Sequence, residues 1–438
     1  ATLFLNSNFM KKYLPLVLVE TYLVFTLLLY VFGPVQFQGH NTDLFVMAMF
    51  IYHCAFILGY YVAIKTLKIN QIKIDKRFSS KLFYTALVFA VLSVLATYQN
   101  LMLSQSIIPY NIFEDVARGL REPGLVYLER MTGGATAIAG GSSGSRLFNI
   151  LSIFFAFFKL FFIFLFLYFW NDLSYFKKVI VLMYAFLFIS CGLASGTNSV
   201  IFIFFIFTSL SLLVLSFVRS TRKFLKTIPF IGVGFLIPIG FFGFLMSRRG
   251  GGFDYFSGSS PLGDITISAV TPYLTSFSDF YYYAFVWLNY YLVQGYYGFS
   301  LILNLDQNWT FGFGNSDFLQ RQLLMLTGTD VSNLTFQAQI SNYWGAAQWH
   351  SFYGQFANDF GFAGLSVLMF ILGYFLSRVW ASVIYNNSFY GMSLLPIFAL
   401  MFIFFPANNQ VFGYIDTLSY FLFMSLFWFF EDKKLRFK

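Results

Sequence analysis

Long apolar runs separated by short polar stretches set the pattern of this chain. A helix that crosses a bilayer needs about 20 predominantly apolar residues. Ten runs reach or approach that length, near 14–32, 43–64, 82–102, 148–169, 179–195, 198–217, 228–246, 360–380, 391–405 and 410–430. They predict an all-α polytopic integral membrane protein of about 10–12 transmembrane helices, one transmembrane domain over 1–438. "MKKYLPLVLVETYLVFTLLLYVF" (Met10–Phe32) opens like a secretory signal. Its apolar part is too long and no small-residue cleavage site follows, so it reads as an uncleaved first helix.

The polar stretches between the runs differ in charge. "KTLKINQIKIDKRFSSK" (Lys65–Lys81), Lys177–Lys178, "RSTRKFLK" (Arg219–Lys226) and the tail "EDKKLRFK" are basic, which marks the cytoplasmic side. Ten crossings with Lys11–Lys12 inside keep all of these on one face. Two long loops, 103–147 and 247–359, then lie outside, carrying interfacial helices. The aromatic stretch Phe280–Leu305 must not cross, or the basic tail would face outward; its Tyr and Trp content suits an interfacial or re-entrant helix.

Composition agrees. The chain of 438 residues is 58% hydrophobic and 10% charged, against roughly a quarter charged in soluble domains. Mean hydropathy is +0.70. The two cysteines, Cys54 and Cys191, sit in apolar runs and imply neither a disulfide framework nor a metal site. The net charge of +9 follows from basic inner loops, and nucleic acid is not an expected partner.

Sorting the cations adds chemistry. Every lysine falls inside or, for Lys159, within a crossing, whereas the outer loops hold Arg118, Arg121, Arg130, Arg146, Arg248, Arg249 and Arg321. Arginine makes bidentate hydrogen bonds to phosphate that lysine cannot copy. Arg248–Arg249, followed by Gly250 to Gly252, reads as an anion site of pyrophosphate size, with Arg146 and Arg121 as further cations from the facing loop. Salt bridges to Glu114, Asp115, Glu122, Glu129 and Asp254 are the competing use of these arginines. Neither a Walker pattern nor GxGxxG is present, so nucleotide phosphate is not indicated. No Asp-x-Asp or clustered His/Asp/Glu ligand spacing points to a metal, and no cofactor is expected.

The second outer loop ends in "TFQAQISNYWGAAQWHSFYGQFANDFGFAG" (Thr335–Gly364). Trp344, Trp349 and Tyr353 are candidates for stacking on sugar rings, and are equally ordinary interfacial residues. His350 is the lone histidine of the long loops and the candidate general base. Asp359 is the alternative base, although a carboxylate where a helix begins can simply cap its N–H groups. His53, within a crossing, has no polar partner nearby in sequence.

The long late outer loop, "NDFGFAG" (Asn358–Gly364), "WLNYYLVQGYYGFSLIL" (Trp287–Leu303) and "GLASGTNSVIFIFFIF" (Gly192–Phe207) resemble the Wzy-type oligosaccharide repeat-unit polymerases, the O-antigen polymerase family. Many relatives carry arginine where this chain has Asn198, and a family spacing of arginine and glycine is matched by Arg130 and Gly141. The resemblance implies a metal-independent glycosyltransferase, similar to the C class, in the bacterial inner membrane. It would join undecaprenyl-pyrophosphate-linked oligosaccharides on the periplasmic face, among membrane lipid, with a chain-length regulator as partner. An O-antigen ligase, which shares donor and architecture, and a lipid-linked oligosaccharide flippase are the competing expectations.

Overall fold

The computed structural model describes residues 8–66, 77–102, 108–126, 128–129, 146–196, 198–249, 265–267, 279–342, 344 and 348–436. Its helices are α1 (Asn8–Phe32), α2 (Thr42–Lys65), α3 (Ser80–Met102), α4 (Ile112–Arg121), α5 (Arg146–Tyr168), α6 (Tyr175–Ala194), α7 (Asn198–Arg219) and α8 (Thr221–Arg249). There follow α9 (Asp279–Ile302), α10 (Asp317–Thr327), α11 (Phe352–Asn386), α12 (Phe389–Phe404) and α13 (Ile415–Arg436). The exception to helix is one antiparallel pair of three-residue strands, β1 (Val35–Phe37) and β2 (Ile265–Ile267), with Gln36 opposite Thr266.

Each of the ten apolar runs falls on a helix. Among the described residues, seven helices are long and apolar enough to cross a membrane, within α1, α2, α3, α6, α7, α8 and α11; apolar helix over Phe154–Tyr168 and Phe389–Phe404 is shorter. The architecture is that of an all-α polytopic membrane protein. The chain divides into two compact units. The first holds residues 1–75, 256–277 and 285–438, the second 76–255 and 278–284.

In the second unit α7 packs on α8, α3 on α5 and α4 on α6. Close approach is set by small residues: a Cβ at Gly119 of α4 would stand 2.0 Å from the carbonyl oxygen of Leu193. Lys159 on α5 is 3% exposed and donates to the Thr97 hydroxyl at 2.7 Å, with its ammonium 5.8 Å from the Phe188 ring centre.

In the first unit α11 packs along α2, and α12 and α13 flank α11 and each other. Lipid tails are as apolar as leucine, so helix association in a bilayer depends on tight contact through small residues. Gly59 and Gly373 provide it reciprocally. A Cβ at Gly59 would stand 2.0 Å from the Phe370 carbonyl oxygen, and one at Gly373 would stand 2.1 Å from that of Phe56. Both obstacles are backbone and cannot swing aside. Gly373→Ala is therefore expected to destabilise the protein by about 3 kcal/mol, the upper part of the overpacking range. Thermal unfolding in detergent checks this, as a midpoint fall of roughly 3 °C; an unchanged midpoint would show that the two helices separate freely.

Two expectations about the late loop change. The span placed at 360–380 is met by the second of two helices that join at Gly361 within α11, and the change is a further helix before it, starting at Phe352 behind the N-cap Ser351. Ser351 Oγ accepts from the Gly354 amide at 3.2 Å. Asp359 does not cap that second helix, because its carboxylate accepts from Thr310, Gly312, Gly314 and Asn315. It lies two residues before Gly361, whose φ of 65° and ψ of 172° break the helix in a region open to glycine. The stretch over 280–305 forms one helix, α9, and Val286, Trp287, Tyr290, Val293, Tyr296, Tyr297 and Phe299 on it are buried by protein. From Trp287 on, most of its aromatics are core contacts of the first unit, whereas Phe285 is 41% exposed.

Candidate functional site

The site begins with two glycines on α9. Gly295 and Gly298 are three apart, hence on one face. A Cβ at Gly295 would come within 2.5 Å of Ala407 O and of Ser351 N, and one at Gly298 would meet Trp344 Nε1 at 2.9 Å and His350 Nδ1 at 3.0 Å. The bare helix face is the seat for the segment that carries the candidate base. Hydrogen bonds stitch this segment down. Trp349 N donates to Gln294 Oε1 at 3.2 Å, Ser351 N to Gly295 O at 3.4 Å and Phe352 N to Phe405 O at 3.0 Å.

His350 is 4% exposed on this seat. Around it the rings interlock: Trp344 meets Tyr297 edge-on at 4.7 Å, Trp349 meets Tyr291 edge-on at 4.6 Å, and Phe37 stacks on Tyr297 at 5.0 Å. His40 lies 5.9 Å from the same Tyr297 ring. Beside Phe37 and His40 opens a cavity of about 350 Å3, lined also by Tyr30, Gln36, Thr42 and Phe45.

Asp359 organises the other half of the layer. Its Oδ1 accepts from Thr310 Oγ1 at 2.5 Å, Gly312 N at 2.9 Å and Gly314 N at 3.0 Å; its Oδ2 accepts from Asn315 N at 2.9 Å and Asn315 Nδ2 at 2.6 Å. Asn358 works in the opposite direction, accepting from Phe336 N at 2.8 Å and donating to Gly314 O and Gln337 Oε1. Asn409, in the turn after α12, donates to Asn315 O at 2.7 Å. The described residues of the segments 33–41, 303–316, 335–342, 348–351 and 405–414 thereby gather into one polar and aromatic layer. Asn41, which donates to Ser300 O at 2.9 Å, ties the first of them in.

The carboxylate of Asp359 is filled by five donors, so it clamps a loop and holds no oxygen open for a sugar hydroxyl. The clamped loop presents Trp309 and Phe311, 62% and 77% exposed. Phe311 has φ 56° and Gly312 φ 87°, a turn that directs the aromatic outward at a backbone cost of order 1–2 kcal/mol for a non-glycine residue. Nearby, the Ser332 hydroxyl and amide hold the exposed Asp330 below the ordinary carboxylate range.

The three aromatic candidates fare differently. Trp344 and Tyr353 are 1% and 0% exposed and their faces are covered by protein rings, Tyr353 stacking on Tyr52 at 5.7 Å. Trp349 is half-buried. The open aromatic faces in this unit include Trp309 and Phe311, which sequence reasoning passed over; the spacing of "NWTFGFGN" was their signal.

The candidate arginines all belong to the second unit. Arg248 and Arg249 are not in a glycine loop but in the last turn of α8. A helix C-terminus presents carbonyls, so anion binding there rests on the guanidinium groups alone. Arg146 opens α5, an N-terminus whose amides and dipole favour an anion. The side chains of these three, and Gly250–Gly252, Arg130 and Gly141, lie outside the described residues. Arg121 ends α4 and is exposed, while Arg118 in the same turn pairs with Glu129 at 2.6 Å, the competing use foreseen for these cations.

No protein family, curated protein or solved structure matches the chain. The functional reading therefore rests on the residues and their geometry.

Proposed function

We propose that the protein is a membrane glycosyltransferase that polymerises lipid-pyrophosphate-linked oligosaccharide repeat units, with undecaprenyl as the lipid, at the periplasmic face of a bacterial inner membrane. The observation that carries this reading is the layer at one end of the first unit. It combines a buried histidine seated on a helix, open aromatic faces at Trp309 and Phe311, and a cavity with an amide, an imidazole and a hydroxyl among its lining groups. Aromatic faces and amides suit sugar rings, and a transmembrane bundle beneath them suits a polyprenyl tail.

In the proposed reaction an acceptor hydroxyl attacks the anomeric carbon of the donor glycan. The bond from that carbon to the pyrophosphate oxygen breaks, the hydroxyl proton passes to His350, and the lipid pyrophosphate leaves. Fixed cations stabilise the charge that develops on such a leaving group; the arginines of the second unit, Arg248, Arg249, Arg146 and Arg121, are proposed for that chemistry from their residue type. Trp349 and Trp309 are assigned to the sugars.

The test is polymer formation by purified protein in liposomes supplied with a lipid-pyrophosphate-linked oligosaccharide. Arg249→Lys keeps the charge but loses the planar fork. It is expected to lower the rate about tenfold or more, the effect of losing a charge-assisted contact of roughly 1.5–3 kcal/mol. No product from the wild-type protein across donor glycans, or an undiminished rate in both Arg249→Lys and Arg249→Ala, overturns the assignment.

A further inference from the structure

The geometry points to a proton-binding site in the membrane core of the first unit, formed by Glu20 of α1 and His53 of α2 and separate from the outer layer. It does not rest on the glycosyl-transfer reading. His53, which has no polar neighbour in sequence, meets Glu20 in space: Nδ1 and Oε2 are 2.6 Å apart. The two side chains are 12% and 18% exposed. Both residues sit midway along helices that qualify as membrane spans, Lys12–Phe32 and Thr42–Lys65. Ionisable groups at that depth are costly, and they mark ion and proton sites more often than scaffolding.

Charge balance fixes what the pair holds. A carboxylate with a neutral imidazole leaves a net negative charge in hydrocarbon, and two added protons leave a net positive one. One exchangeable proton makes the pair neutral, whichever partner carries it, and the short Nδ1–Oε2 contact is where it is shared. The remaining atoms, Glu20 Oε1 and His53 Nε2, are buried and have no hydrogen-bond partner among the described residues. A purely structural ion pair would be expected to satisfy them. Here Glu20 Oε1 stays open to a proton, while His53 Nε2 carries the imidazole's own N–H.

The groups that face the pair are phenols. Tyr296 comes from α9 and Tyr353 from α11, and Glu20 is within electrostatic reach of both; Tyr52, next to His53 on α2, donates to Phe362 O at 2.9 Å. Tyr296 shares a 3.1 Å hydrogen bond with Thr26 of α1, and Tyr353 stacks on both Tyr296 and Tyr52. The formal charges of the packed helices stand away from the pair in sequence: Lys11 and Lys12 on α1, Asp43 and Lys65 on α2, Asp279 on α9, and Asp359 and Arg378 on α11. Asp359 is committed to its loop and Arg378 to Asp432 at 3.4 Å. α12 carries Tyr390 as its one titratable residue. Tyr296 and Tyr353 stand two residues from Gly298 and three residues from His350 in sequence.

The chain has three histidines, so nitrogen NMR on histidine-labelled protein in lipid nanodiscs resolves each ring, with His40→Gln and His350→Gln supplying the assignment. The signals are followed from pH 5 to 9, and the expected result is that the His53 ring responds to pH. In Glu20→Gln its proton affinity falls at least tenfold, because the acid partner is lost, while Glu20→Asp retains most of it. A His53 signal flat over that range, or the same midpoint in Glu20→Gln, overturns the inference. A second measurement needs no variant. In the wild-type protein the infrared band of a protonated carboxyl group should titrate with the same midpoint as His53, and two unrelated midpoints would dissolve the shared site.

Discussion

Asp359→Asn is expected to cost the protein about 3–5 kcal/mol, the range for breaking a buried, charged hydrogen-bond set by removing one partner. A helix-capping aspartate would tolerate this change, since asparagine caps nearly as well. The observed geometry does not allow it. Both carboxylate oxygens accept, three bonds on Oδ1 and two on Oδ2. Asparagine keeps one oxygen and turns an NH2 group against donors on the other side. With the oxygen at the Oδ1 position, Asn315 loses both of its bonds and faces new N–H groups; with it at Oδ2, Thr310, Gly312 and Gly314 do. Each buried donor left unmet costs about 1–3 kcal/mol. The loop then loses its hold on Asn409, and Trp309 and Phe311 lose their fixed direction. Thermal unfolding and limited proteolysis within 303–316 would register the change. An Asp359→Asn protein with the unfolding midpoint and protease resistance of the wild type would show that the clamp contributes little.

The membrane-spanning helices were legible because a bilayer imposes one long, coarse rule on sequence, and all ten apolar runs fall on helices. Where local rules compete, reading failed. "FYGQFANDF" (Phe352–Phe360) mixes polar and aromatic residues and reads as loop, yet it is the first part of α11, started by Ser351 and broken at Gly361. Arg248 and Arg249 read as loop because glycines follow them, yet the helix carries through Arg249. Burial was the harder matter. Trp344, Trp349 and Tyr353 carry the same signal in sequence, and what separates them is which helix face covers each ring. The pairing of Glu20 with His53 spans 33 positions and two helices, so no spacing rule announces it. Nor does anything local announce that Asp359 closes on a loop more than 40 residues earlier. What could be read locally was the glycine pair in "QGYYGF" (Gln294–Phe299), three apart in an aromatic helix, which marks the face where His350 is seated.

His350→Gln is expected to reduce polymer formation at least a hundredfold while leaving the protein folded. General-base catalysis contributes roughly a hundredfold to ten-thousandfold, and glutamine cannot accept a proton near neutral pH. The choice of glutamine matters. His350→Ala would open a cavity against Gly298 and Trp344, and its loss of activity could come from the collapse of the seat. Glutamine keeps most of the volume and a polar end, so its unfolding midpoint should stay close to that of the wild type. Asp359 cannot take over the role, because both of its oxygens are engaged in the clamp. His53 cannot either, since it lies on α2 and is held by Glu20 of α1. The rate–pH profile supplies the second readout. The wild type should lose activity on the acid side as His350 becomes protonated, and the residual rate of His350→Gln should lack that limb. Gly298→Ala offers a third, because its added methyl would stand 3.0 Å from His350 Nδ1 and displace the ring without altering its chemistry. That variant should keep the acid limb and lose rate. A folded His350→Gln protein with the wild-type rate and profile would remove the histidine from the mechanism.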